Sequence, residues 1–264
     1  MTAVPAEDRS RQVTAGPRPA TGERGGPVIV LWAHPRAVST AFLRMMIARG
    51  DVTVVHEPMV TLTDLGQVTV PDGAGATTTV TTAGELYENL ATLARRRPVF
   101  VKDTVEYRYR HLFDHPREAA RLRHTFIVRH PARTISSHYA MNPNVTCPEI
   151  GYEHQWELFD LARRVTGQVP TVVSAEELVR DPQRVVASYC AAVGLRYLPQ
   201  ALRWSAQDRT EWARTRRWHT DVIDSTGFAE VPRSYPVTVD NDPLLRSYFE
   251  YHYPFYQRLA EHFS

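Results

Sequence analysis

From Pro27 onward, unbroken apolar runs alternate with segments of helical period. PVIVLWAH (27–34) is a short continuous apolar run, the mark of a strand buried on both faces of a parallel sheet. PRAVST follows, then AFLRMMIARG, where Phe42, Met45, Met46 and Ala48 recur at helical spacing and Gly50 stands where a helix stops. DVTVVHEP predicts a second strand, ended by Pro58. Residues 60–82 are polar and threonine-rich, are broken by Gly66, Pro71, Gly73 and Gly75, and show no clear period; they read as a mobile loop or lid. Next come a helix in ELYENLATLARR, a strand in PVFVK, a helix around HLFDHPREAARL, a strand in HTFIV and a helix in ARTISSHYAM. A helix from about His154 to Arg164, a strand in PTVVSAEEL and a helix in DPQRVVASYCAAVG closed by Gly194 continue the alternation. The aromatic, amphipathic LLRSYFEYHYPFYQRLAEHF predicts a packing helix. Strands alternating with helices mean an α/β fold with a mostly parallel sheet, here a single domain over residues 27–264.

Residues 1–26 lack any apolar core segment and are rich in Pro, Gly, Arg and Ala, so they read as a disordered tail. A secretory signal needs a central apolar run, and Glu7, Asp8 and Glu23 argue against a transit peptide. With no stretch approaching a membrane span, the expectation is a soluble, cytoplasmic protein that engages no membrane. Composition sharpens this only slightly. The 264 residues are 43% hydrophobic and carry a formal net charge of +2, which excludes wholesale disorder and gives no electrostatic case for a nucleic-acid partner. Cys147 and Cys190 make no disulfide framework, and HExxH, EF-hand and zinc spacings are absent, so no metal is expected. Of the 31 basic residues one is lysine, Lys102, and the rest are arginine. Arginine usage of this kind is coding bias over most of a surface. A lone lysine marks a place where a compact point charge on a flexible stem suits a phosphate or a departing oxygen.

Two segments carry candidate chemistry. In HPRAVSTAF, Ser39 and Thr40 fall in the first turn of the predicted helix, where unpaired backbone N–H groups attract an anion. Arg36 supplies charge there, although Ser39 could equally be a plain N-cap. The segment is not a Walker A loop, because both glycines and the lysine of GxxxxGK[ST] are missing. After HTFIV comes Arg129-His130-Pro131-Ala132-Arg133-Thr134-Ile135-Ser136-Ser137. An arginine at the carboxyl end of a strand and a serine one or two helical turns on can both reach an anion above the sheet edge, where open α/β sheets bind ligands. Two anion sites on one sheet point to a ligand with phosphates at both ends.

PRAVST after the first strand and R-H-P-x-R-x-x-x-S after a later one resemble the sulfotransferases that use 3′-phosphoadenosine 5′-phosphosulfate (PAPS). PVFVKD is similar to that family's lysine strand, SAEELVRDPQRVVASYCAAVGL to its late strand–helix unit, and HEP, QWELF and WH-x-x-V-x-x-STGF to its bacterial members acting on small molecules. The resemblance spans roughly Pro27 to Ser264 and implies a three-layer, P-loop-like sulfotransferase fold. It implies that Arg36, Ala37, Val38, Ser39 and Thr40 grip the 5′-phosphosulfate of PAPS. Arg129 and Ser137, eight residues apart, would grip the 3′-phosphate, helped by Ser225-Thr226-Gly227 in place of a glycine-rich loop, with Arg216 and Arg217 upstream. The chain departs from the family in having Arg36 for lysine and Val38 for glycine in the donor loop. Thr104 stands where animal cytosolic relatives place a histidine base, and Glu57 of HEP matches the glutamate of bacterial relatives.

Sulfuryl transfer needs neither a metal nor a covalent intermediate: an acceptor oxygen attacks in line and charge develops on the leaving phosphate. Glu57 is the candidate base for a small-molecule hydroxyl or amine acceptor. Lys102 and Arg36 neutralise the leaving oxygens and Ser39 and Thr40 bind them. His56 precedes Glu57, and strand alternation would turn one of the two away from the site. Glu57 could otherwise be a cap or a surface ion pair before Pro58. Trp156, Trp204, Trp212, Trp218 and Phe228 read mainly as core, the run 95–97 as a helix end facing water, and His130 and His138 as packing residues. Cys147 lacks an identifiable histidine partner. Two other readings use the same residues: a kinase-like P-loop phosphotransferase, and a non-catalytic nucleotide-binding protein. Acceptor identity and oligomeric state are left open by these motifs.

Overall fold

A computed structural model describes residues 25–206, 225–229 and 233–264. The predicted tail up to residue 24, Arg216, Arg217, Trp212 and Trp218 lie outside the described residues. The strands are β1 (Val28–Ala33), β2 (Thr53–His56), β3 (Val68–Pro71), β4 (Thr77–Val80), β5 (Val99–Thr104), β6 (Leu122–Val128) and β7 (Thr171–Ser174). The helices are α1 (Ser39–Arg49), α2 (Pro58–Leu65), α3 (Ala83–Ala94), α4 (Arg110–Asp114), α5 (Pro116–Ala119), α6 (Pro131–Met141), α7 (Tyr152–Thr166), α8 (Ala175–Arg180), α9 (Pro182–Ala192) and α10 (Pro243–Ala260).

Five strands form one parallel sheet in the order β2-β5-β1-β6-β7. Alternation along β1 explains why both of its faces are apolar. Val28, Val30 and Trp32 enter a core shared with α3, α7 and α10, while Ile29, Leu31 and Ala33 enter a second core with α1 and α9. That is the three-layer α/β/α arrangement expected from the alternation. The chain leaves β1 toward β2 on one side and leaves β6 toward β7 on the other. The carboxyl ends of adjacent β1 and β6 therefore form the topological switch point, where a crevice opens.

Three local expectations need correction. Residues 60–82 are not an irregular lid: α2 continues into them, and β3 pairs antiparallel with β4, Val68 opposite Val80. The alternation of Val68, Val70 and Val80 buries one face of this hairpin, and the Asp72 carboxylate accepts from Ala74 N (2.7 Å) and Ala76 N (3.1 Å) to close its turn. The strand in PTVVSAEEL stops at Ser174, whose hydroxyl accepts from Glu177 N (3.2 Å) and so starts α8. The helix around 111–122 breaks into α4 and α5 because Pro116 restricts His115 to non-helical backbone. Upstream, Gly26 donates to Ala94 O (2.7 Å) and lies so close to Pro98 that a Cβ there would sit 2.3 Å from its nitrogen. Only glycine fits at this approach.

Candidate active site

The crevice at the switch point is a cavity of about 1270 Å³, and its floor is the carboxyl ends of β1, β5 and β6. Ala37, Val38, Ser39 and Thr40 form one rim, where α1 begins. The helix starts without a side-chain cap: Val38 holds the N-cap position with φ 66°, and its carbonyl accepts from Ala41 N (3.1 Å) and Phe42 N (3.3 Å). Ser39 is therefore the first helical residue and not the cap. The N–H groups of Ser39 and Thr40 precede the first intrahelical bonds and face the crevice with the positive end of the helix dipole. Glycine in the family's pattern at position 38 has its physical reason here, since a β-branched residue rarely adopts positive φ.

The loops after β1 and β6 interlock. Arg129 Nη1 donates to Arg36 O (3.1 Å), and Arg36 Nε donates to Ser137 Oγ on α6 (3.1 Å). The predicted 5′-loop arginine thus reaches across to the predicted 3′-phosphate serine, and both anion segments belong to one site. His34, which the sequence reading passes over, locks the junction. Its Nε2 accepts from Arg129 N (3.0 Å) and its Nδ1 lies 3.0 Å from Pro35 O, so the proton sits on Nδ1. Burial, aided by Arg129, pushes its pKa down to about 3, which keeps the ring neutral and this tautomer fixed. Its ring stacks on Tyr152 at 4.2 Å, and Tyr152 OH donates to Arg129 O. On the same side His130 N donates to Glu176 Oε1 (3.0 Å), and burial holds the Arg129 guanidinium below its usual pKa.

Glu57 and Lys102 meet at the other end. Glu57 N donates to Lys102 O (2.7 Å), extending the β2–β5 register one residue beyond His56↔Lys102, and Lys102 Nζ donates to Glu57 Oε1. Both side chains are nearly buried, at 5% and 11% exposed for Lys102 and Glu57. Glu57 occupies the N-cap position of α2 but does not cap it. Asp103 does that from β5, accepting from Met59 N (2.7 Å) and Val60 N (3.3 Å), so the Glu57 carboxylate is left to the cavity. Asp103 is fully buried, and burial raises its pKa to about 7. Strand alternation does not separate His56 from Glu57, because Glu57 has left the strand with φ 49°; His56 Nε2 lies 3.6 Å from Glu57 Oε1. Of this pair only Glu57 lines the cavity.

Arg36, Ala37, Val38, Ser39, Thr40, Glu57, Lys102, Arg129, Ser137, Ser225 and Gly227 all line the same cavity. Thr226 does not: its carbonyl accepts from Trp204 N (3.1 Å), and Trp204 Nε1 donates to Ser225 Oγ (3.1 Å), which holds the segment in place. Among the described tryptophans, tyrosines and phenylalanines, Tyr235 lines the cavity, while Trp156 stacks on Phe159 and Trp204 packs edge-on to Phe228. Arg97 is more than a solvated helix end, since its Nε donates to Thr53 Oγ1 (2.8 Å). The structure also supplies the partner that Cys147 lacked, His252, with Sγ···Nε2 at 3.6 Å. That nitrogen donates to Cys147 O (2.7 Å), and burial raises the thiol pKa and lowers the imidazole's. This is the reverse of an activated thiolate pair. Sequence offered no signal for Asp103 beyond its place near the end of a strand, nor for Glu106 or Glu176 beyond their places after strands.

The sulfotransferase domain family model matches residues 28–261. Branched-chain-amino-acid aminotransferase-like proteins 1 and 2 of Arabidopsis thaliana are 28% identical over 230 residues and 26% identical over 228. Each match takes in 80% of this chain and 38% of the relative, so the chain spans well under half the length of these curated relatives. Among solved structures, the sulfotransferase domain of the Synechococcus PCC 7002 olefin synthase superposes with a TM-score of 0.57 at 16% identity, covering 89% of this chain and 97% of that one. That likeness concerns the fold, and the family model extends over nearly every element that builds the crevice. The chain belongs to the sulfotransferase domain family.

Proposed function

We propose that the protein transfers the sulfuryl group of PAPS to an oxygen of a small-molecule acceptor. The observation that carries this is the interlocked pair of anion segments. Arg129, Arg36 and Ser137 are joined by hydrogen bonds on one side of a crevice whose other end holds the Glu57–Lys102 pair. In this reading the donor lies with its 3′-phosphate toward Arg129 and Ser137 and its 5′-phosphosulfate over the start of α1. Backbone N–H groups of Val38, Ser39 and Thr40 and the guanidinium of Arg36 supply donors fixed before the reaction. Ser225 and Gly227 close the 3′-phosphate side.

The step balances without a metal. The acceptor oxygen attacks sulfur, the bond from sulfur to the 5′-phosphate oxygen breaks, and the acceptor proton passes to Glu57 and then to solvent. Lys102 couples the two ends of this displacement. While its ammonium rests on Glu57 it covers the carboxylate oxygen Oε1. As charge grows on the leaving phosphate the ammonium follows it and uncovers the oxygen that takes the proton. Asp103 anchors α2, and with it the backbone that carries Glu57.

Calorimetric titration of 3′-phosphoadenosine 5′-phosphate (PAP) against ADP and ATP, without magnesium, tests the donor. Tight binding of PAP, weakened in Arg129→Ala, is expected; preference for ATP overturns the reading in favour of a phosphotransferase. Glu57→Gln should abolish turnover with PAP binding retained. Turnover at the wild-type rate in that variant removes Glu57 as the base.

A further inference from the structure

We propose that the Thr104 hydroxyl donates a hydrogen bond to a terminal oxygen of the donor's sulfuryl group and so holds that group in line for transfer; this rests on the sulfotransferase reading above. The order of the strands gives the place. The candidate base Glu57 stands just past the end of β2, and the loop of residues 34–38 leaves the end of β1. β5 runs between those two strands and is paired with both. Neighbouring strands lie about 4.8 Å apart, so the two flanking strand ends are separated by roughly 10 Å. In-line transfer puts the acceptor oxygen toward Glu57 and the leaving oxygen toward the loop after β1. Sulfur then lies between them, over the carboxyl end of β5, where Lys102 and Thr104 line the cavity.

Alternation along β5 puts Lys102 and Thr104 on one face of the strand with Phe100, whose ring stacks on Phe42 of α1 at 6.0 Å. That face is the one above which α1 starts. Thr104 pairs in register with Ala33, the last residue of β1, two residues further along than Lys102 with Leu31. Its backbone is fixed on both sides. Thr104 N donates to Asp103 Oδ1 (2.9 Å), Thr104 O accepts from Tyr109 OH (2.7 Å), and Val105 N donates to Ala33 O (3.1 Å). The side chain is not so occupied. Thr104 is 6% exposed, and its Oγ1 has no hydrogen-bond partner among the described residues. A buried hydroxyl left in that state is destabilising, and a bound group of matching chemistry relieves it. The terminal oxygens of a sulfuryl group only accept, so the residue beside them has to donate, and a hydroxyl brings one proton for that purpose. The Glu57 carboxylate cannot supply one. The Lys102 ammonium follows the leaving phosphate, whereas Thr104 stays where the sheet holds it.

The test is calorimetric titration of the full chain with PAPS and with PAP, which differ by the sulfuryl group alone. Thr104→Val keeps the shape of the side chain and removes the hydroxyl, while Thr104→Ser keeps the hydroxyl. PAP affinity is expected to stay within about twofold of wild type in both variants, and PAPS affinity to fall about tenfold or more in Thr104→Val. Thr104→Ser should restore most of that loss. Ligand-free Thr104→Val should melt no lower than wild type, because the hydroxyl it lacks had no partner within the protein. An unchanged ratio of PAPS to PAP affinity in Thr104→Val overturns the sulfuryl contact, with PAP binding and the donor reading left standing. Equal weakening of PAP and PAPS, or a lower melting midpoint, overturns it as well, since either marks a structural hydroxyl. Failure of Thr104→Ser to recover PAPS affinity overturns it by showing that shape, not the hydroxyl, matters. Failure of both nucleotides to bind the wild type removes the donor reading, and this inference with it.

Discussion

Lysine 102 offers the sharpest test of how the site is held together, because its consequence can be worked out before any substrate is known. Lys102→Met keeps the length of the side chain and removes the ammonium, leaving Glu57 nearly buried beside Glu106. Breaking one half of a buried pair costs up to about 3–5 kcal/mol when the remaining charge cannot be neutralised. Here there is an escape: a carboxylate more expensive than about 4 kcal/mol to keep ionised takes up a proton at pH 7, which caps the loss. Because the pair faces a water-accessible cavity, a loss of about 2–3 kcal/mol is expected for Lys102→Met, and about 1–2 kcal/mol for Glu57→Gln, where the remaining ammonium can be hydrated. The double variant restores electrical balance, so its loss should fall about 2 kcal/mol short of the sum. Urea unfolding of all four proteins at pH 7.5, repeated at pH 5, measures the coupling. At pH 5 the Lys102→Met penalty should be smaller, since a buried carboxyl deprived of the ammonium beside it takes up a proton more readily. Losses that add within about 0.5 kcal/mol would refute the coupling and reduce the pair to a chance proximity.

Other consequences are checked with the same methods. Asp103→Asn places an amide N–H2 against Met59 N–H or Thr104 N–H, where the carboxylate now accepts from both; a loss of about 2 kcal/mol in urea is expected, with reduced turnover because α2 positions Glu57, and an unshifted midpoint contradicts this. Val38→Gly relieves about 1–2 kcal/mol of left-handed strain but gives up side-chain burial and frees the unfolded chain, so stability should change by less than about 1 kcal/mol, whereas Val38→Ala should be clearly worse than glycine; equal thermal midpoints for the two would show that the φ of 66° carries no strain. Burial holds His34, His124 and His138 neutral in the folded state, at about 3, 4 and 4, while the unfolded chain protonates its histidines near 6.5. The unfolded chain therefore binds more protons as pH falls from 6.5 toward 4, and these three side chains lower stability across that window; the raised values of Asp103 and Glu106, both about 7, act the other way by holding protons in the folded state. His124→Asn should remove one proton from the difference, about 1.4 kcal/mol per pH unit between pH 6 and 4.5, and an unchanged slope in urea melts over that range would contradict the assignment.

The strand, tight turn and helix around residues 28–49 are legible in the sequence because each signal is local: an unbroken apolar run, a polar turn and a helical stripe that agree with one another. Arg129 and Ser137 were legible for the same reason, since a strand end and a two-turn spacing place both above the sheet edge. What was hidden depends on partners far along the chain. Nothing near Asp103 shows that it caps a helix starting 45 residues earlier, at Pro58, or that this relieves Glu57 of the task. The β3–β4 hairpin escaped notice because threonine fills its exposed face, and three valines are too few to reveal a period of two. His34 ends an apolar run, where a histidine is more often packing than function. Its role appears only when β6 lies beside β1 and presents Arg129 N to its ring.

Arg36, Val38 and Glu57 are the described non-glycine residues with positive φ, and all three line the cavity. Glycine would adopt such backbone at no steric cost, so their side chains must be wanted where they are, or held there by what surrounds them. For Arg36 the surroundings are plain: its carbonyl is gripped by Arg129 and its guanidinium by Ser137. For Glu57 they are equally plain, with its N–H bound to Lys102 O, its carboxylate to Lys102 Nζ, and the helix that follows anchored by Asp103. Arg36 is thus held by bonds from the loop after β6 and from α6, and Glu57 by bonds from β5. Left-handed backbone turns the chain sharply at the strand ends and aims side chains that would otherwise alternate away from the crevice, as the failed separation of His56 from Glu57 illustrates. Strain at these positions is therefore what converts a generic parallel sheet edge into a site that holds Arg36 and Glu57 over one crevice, and a substitution that loosens any one of the anchoring bonds should be felt at the reacting centre before it is felt in the fold.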